Sequence, residues 1–148
     1  MNHHGLTLLT LPLLSLLLGA APPPEPIAVD IEVVGLRSTK GNIEACVWHG
    51  PEHFLAAKAC ATYGRVVVAP AGPTVSLKLD LKPGEYAVSL FHDANANGKL
   101  DKNLFGMPTE GFGFSRNPVI AFSQPSYAAT RFEAASATTE TIRMKYFL

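Results

Sequence analysis

Charge is scarce in this 148-residue chain, at 16% of residues, and it cancels: 12 Lys and Arg stand against 12 Asp and Glu. A nucleic-acid partner needs a basic face that displaces counterions from phosphates, and this balance supplies none. Cysteine is nearly absent. Cys46 and Cys60 are the two in the chain, and with no C-x-x-C pair and no histidine at ligand spacing beside them they do not read as a metal site. No G-x-S-x-G elbow occurs, so Ser115 has no assigned base and a serine hydrolase of that type is unsupported. His49 and His53 are separated by Gly50-Pro51, which breaks the helical geometry of a zinc pair. With His92 they read as scattered surface histidines.

Long apolar runs are also lacking, with one exception at the N-terminus. Leu6 to Leu18 is followed by the small residues Gly19, Ala20 and Ala21, the layout of a secretory signal over residues 1–21. Its n-region has no Lys or Arg, and an uncleaved anchor is the alternative, although the run is short for a span of about 20 residues. No other run approaches that length, so no membrane span is expected after cleavage. Residues 22–26, rich in proline, form an extended leader, and 27–148 are left for one domain with a single core. The expected location is exported, periplasmic or extracellular. There, a Cys46–Cys60 disulfide would close a loop of about 15 residues and contribute on the order of 3 kcal/mol. Two small buried thiols are the alternative.

Alternation of apolar and polar residues dominates the rest. Ile27, Val29, Ile31 and Val33 share one face of a strand, as do Ile43, Ala45 and Val47 within Asn42 to His49. Arg65 to Ala69, Thr74 to Leu81, Glu85 to His92, Ala128 to Glu133 and Thr139 to Tyr146 complete about seven strands. Pro51 to Lys58 reads as one or two helical turns, since proline suits a first turn and Ala and Leu extend it. The pattern predicts an all-β fold, a single β-sandwich, transthyretin-like or immunoglobulin-like, with one short helix and a long ordered loop.

That loop, from Asp93 to about Ser126, far exceeds the usual 4 to 6 residues or so. Asp93, Asn95 and Asn97 precede Gly98 in a D-x-N-x-N-G spacing, with the carbonyl of Lys99 and the side chain of Asp101 next in line. This is the first half of a calcium loop, and Ca²⁺ is the candidate cofactor. Leu104 stands where the spacing requires a bidentate Glu, so weak affinity is expected, with Asn103 and Glu110 as further oxygen donors. The alternative is a loop closed by its own Asx-turns. Beyond it, Glu110, Phe112, Phe114 and Arg116 lie in a run alternating glycine with aromatics. They suit a surface for a glycan, peptide or envelope component. In the competing reading, Phe105, Phe112 and Phe114 cap the sandwich and Glu110 pairs with Arg116.

Several motifs agree in order with one family. Val34-Gly35-Leu36-Arg37 before Lys40-Gly41, Leu81-Lys82-Pro83-Gly84-Glu85-Tyr86-Ala87-Val88, the Asp/Asn loop and Glu110-Gly111-Phe112-Gly113-Phe114-Ser115 together resemble a bacterial exported family, domain of unknown function 2141, over Ile27 to Tyr146. The resemblance implies an exported single-domain β protein of uncharacterised role. The Leu-x-Pro-Gly-x-Tyr-x-Val turn also looks like strand pairs of transthyretin-like and collagen-adhesin B-type sandwiches. The C-terminal Tyr-Arg-Gly-Ser signature of transthyretin-related purine hydrolases is missing from Met144 to Leu148. The expectation is a non-catalytic binding or structural module. A small metal-assisted hydrolase using Asp93, Glu110 and His92 is the alternative.

Overall fold

The computed structural model describes residues 1, 22–56, 59–60, 64–121 and 123–147. The expected signal segment lies outside the described residues, apart from Met1. Among the described residues eight strands are formed: β1 (Ile27–Val34), β2 (Asn42–Trp48), β3 (Arg65–Val68), β4 (Thr74–Leu81), β5 (Gly84–Asp93), β6 (Gly111–Phe114), β7 (Phe132–Ala134) and β8 (Thr138–Arg143). One helix, α1 (Tyr127–Thr130), lies between β6 and β7. The strands make two sheets. β4-β1-β8 is the smaller, with β1 antiparallel to β4 and parallel to β8; the larger runs β3-β2-β5-β6, with β7 on the first residues of β5.

Strand alternation explains how the sheets stack. Val29, Ile31 and Val33 of β1, Val75, Leu77 and Leu79 of β4, and Ile142 of β8 are buried against Ile43, Ala45, Val47, Val88, Leu90 and Phe132 from the larger sheet. Each Val, Leu, Ile or Phe side chain among them contributes about 1.5–3 kcal/mol when fully removed from water. Because a strand points successive side chains to opposite faces, the same register leaves a second, outward set on the larger sheet. Glu44, Phe91 and Phe112 stand side by side across β2, β5 and β6, and Cys46, Ser89 and Phe114 form the next row.

Three local expectations need correction. Residues 51–56 are turns rather than helix: His53 and Leu55 take φ of 58° and 63°, and the bonds, such as Ala56 N–H to the His53 carbonyl at 2.9 Å, span three residues. Packing overrides propensity there. Phe54 meets Trp48 and Tyr127 edge-on, each at 5.6 Å between ring centres. A short helix forms over part of the expected strand Ala128 to Glu133, because Ser126 caps it, its hydroxyl accepting from Ala129 N–H at 3.2 Å. Thirdly, the long loop contains β6.

Strand β6 is possible because of its glycines. A Cβ on Gly111 would sit 2.4 Å from the Tyr146 ring, and one on Gly113 would sit 2.6 Å from Ile142. The alternation of glycine and phenylalanine therefore makes a strand with a flat inner face, on which β8 and the C-terminal residues lie closely, and an aromatic outer face.

Candidate functional site

Between Asp93 and Glu110 the chain closes on two buried carboxylates. Asp93 has no exposed surface, and its oxygens accept from Asn97 N–H at 3.0 Å and Gly98 N–H at 2.7 Å. Glu110, 9% exposed, accepts from Ala94 N–H at 2.9 Å and Asp101 N–H at 3.0 Å, which ties both ends of the loop to one side chain. A buried carboxylate is costly unless it is hydrogen-bonded, and these four backbone donors satisfy both. Gly41 allows the loop to start there, since a Cβ on it would fall 1.9 Å from the Asp93 carbonyl oxygen.

The remaining loop oxygens have partners too. Asp101 accepts from the side-chain amides of Asn95 at 2.7 Å and Asn97 at 3.1 Å, and Asn97 Oδ1 accepts from Lys99 N–H at 2.9 Å. Among the described residues no group of three or more His, Cys, Asp or Glu side chains is placed to hold a metal ion. Further along, Asn103 Oδ1 accepts from Phe105 N–H at 2.9 Å and Met107 N–H at 3.1 Å. That turn presents Leu104 and Phe105 outward.

His92 is not a surface histidine. It is 2% exposed, on the inner face of β5 opposite Asp93, with Nδ1 3.2 Å from the Tyr146 hydroxyl and Nε2 2.7 Å from the Lys40 carbonyl. Ser115, fully buried, donates its hydroxyl to the Thr130 carbonyl at 2.6 Å and accepts from Val88 N–H at 2.9 Å. Asp93, Glu110 and His92 thus hold backbone or another side chain and share no open site. Arg116 is exposed, with its N–H donating to Glu140 at 2.5 Å; Glu110 bonds to the loop backbone.

What the sequence reading missed is a cleft of about 840 Å³ over the outer face of the larger sheet. Its floor is the outward set of β2, β5 and β6, including Trp48, Phe91, Phe112 and Phe114. One wall is Leu55, Ala56 and Cys60, a second is the loop from Gly98 to Pro108, and a third runs through Ile120, Ala121 and Gln124. Cys46 and Cys60 stand at disulfide distance, with Cα atoms 5.4 Å apart, and so hold the first wall to the floor. Trp48 is oriented by its Nε1–H donating to Ser89 Oγ at 2.9 Å. Phe112 touches Phe114 at 6.0 Å and Phe147 at 5.1 Å between ring centres. Outward aromatics at every second residue of β6 were the available signal; the walls come from segments remote in sequence.

Phe112 and Phe114 therefore lie in the cleft floor, whereas Glu110 braces a wall and Arg116 is outside it. Phe105, 89% exposed, stands at the lip rather than capping the sandwich. No helix among the described residues is long and apolar enough to cross a membrane. No curated protein and no solved structure matches the chain. The family described as uncharacterized protein conserved in bacteria (DUF2141) matches residues 31–142, and the chain belongs to it.

Proposed function

We propose that this protein is a non-catalytic exported binding module whose ligand seat is the cleft on the outer face of the larger sheet. The observation that carries the reading is the cleft itself: about 840 Å³, with an aromatic floor and a few polar groups at its edges. Small-molecule sites of roughly 300–1,000 Å³ have that composition. The loop's part is architectural, since Asp93 and Glu110 set the position of a wall. The hydrolase alternative lacks comparable support, because the groups it needs are occupied by structural hydrogen bonds.

An uncharged, environment-sensitive dye such as N-phenyl-1-naphthylamine tests the seat. The dye is expected to bind with enhanced emission, and Ala121→Trp, which fills the cleft from an exposed position, is expected to abolish it without loss of thermal stability. Absence of dye binding, or binding unchanged by Ala121→Trp, would contradict the reading.

Calcium is a proposal for the same loop. The donor set of Asp93, Asn95, Asn97, the Lys99 carbonyl and Asp101 suits a hard cation that takes oxygen ligands. Binding would require Asp101 to exchange the amide donors of Asn95 and Asn97 for the ion. A calcium-dependent rise in unfolding temperature that Asp101→Ala removes is the expected result. No rise in the unsubstituted protein would leave the loop to its hydrogen bonds alone.

A further inference from the structure

We propose that the cleft accepts a single-chain amphiphile with a negatively charged head, a long-chain fatty acid, with the tail on the aromatic floor and the carboxylate at Lys99 and Lys102. The inference rests on the cleft being the ligand seat. Four charged side chains line it: Glu44, Arg65, Lys99 and Lys102. Glu44 and Arg65 neutralise each other in an ion pair whose second hydrogen bond, Arg65 Nε–H to Glu44 Oε2, measures 2.7 Å. Lys99 and Lys102 have no carboxylate partner among the described residues. The cleft therefore has a largely aromatic floor, one self-compensated pair and, on its loop wall, two lysines without an ion-pair partner.

This arrangement selects among ligand classes. A sugar needs many hydrogen-bonding groups below it, yet the floor hydroxyl of Ser89 already accepts from Trp48. A cationic ligand finds no free carboxylate. Bidentate recognition of a phosphate or a carboxylate by an arginine fork is unavailable, because the fork of Arg65 is held by Glu44. Lysines are compact point charges, and Lys99 and Lys102 can attract an anionic head such as a carboxylate without a fork. At the lip beside them, Leu104 is fully exposed and Phe105 is 89% exposed, and this continues the apolar path beyond the floor.

The test titrates the full chain with monomeric dodecanoate, dodecanol, dodecyl phosphate and dodecyltrimethylammonium, read by displacement of the neutral dye and by emission of Trp48, the chain's one tryptophan. Dodecanoate is expected to bind about five- to tenfold more tightly than dodecanol at low salt, as two exposed charge contacts allow. High salt should erase the preference. So should the double substitution Lys99→Gln and Lys102→Gln, with dodecanol affinity kept. Equal affinity for acid and alcohol, a preference that survives the double substitution, or tighter binding of the phosphate or the ammonium compound would overturn the proposal. Dye binding with no displacement by dodecanoate would overturn the fatty-acid assignment and leave the ligand seat standing. Failure of the dye as well would remove both.

Discussion

Two carboxylates, Asp93 and Glu110, decide at the residue scale what the Asp/Asn loop is. Each is buried and each accepts two backbone N–H groups. Replacing Glu110 with Ala leaves Ala94 N–H and Asp101 N–H unpaired, for which a loss of about 1–3 kcal/mol is expected in urea unfolding. Glu110→Gln keeps an acceptor and should lose less; equal stability of all three proteins would contradict the clamp. Gly111 gives a second prediction. Its Cβ would strike the Tyr146 ring, so Gly111→Ala is expected to cost about 1–3 kcal/mol and to disturb the His92–Tyr146 contact in NMR spectra. The spacing from Asp93 to Asp101 displays oxygens, but not the donors that reach them. Glu110 lies far enough along the chain that its two partners were invisible to motif reading.

At the scale of elements, period-2 alternation located β1, β2, β4 and β5 and assigned their faces, because one face of each is buried in the shared core. Short elements were less legible. β6 looks like loop in the sequence because its inner face carries no side chain to alternate, and α1 looks like strand because its signal is a cap at Ser126 rather than a hydrophobic period. Residues 51–56 looked helical by composition, but Phe54 packing on Trp48 and Tyr127 holds them in turns. The pairing of Cys46 with Cys60 fastens this segment to β2. Mass spectrometry of the protein kept under oxidising conditions should show no free thiol, and reduction should lower stability by about 3 kcal/mol. It should also weaken dye binding, since Leu55 and Ala56 form a wall. Two free thiols in the oxidised sample would contradict this.

For the whole molecule, the sandwich was legible and the cleft was not. A sandwich follows from strand count and alternation, whereas the cleft depends on three separate segments rising around one sheet face. Its parts can nonetheless be traced to sequence: glycines on the inner face of β6 allow tight stacking below, and the phenylalanines between them are left facing outward. Family membership, residues 31–142, covers every strand except the start of β1 and the end of β8. It places the chain without assigning a role, so the role has to be argued from the cleft. NMR mapping of backbone amides during titration with dodecanol is the most direct measurement of that claim. The account predicts saturable shifts concentrated at residues 46–48, 89–91, 112–114, 120–121 and 123–124; shifts confined to the depression around His49, Glu85 and Arg131, or none that saturate, would contradict it.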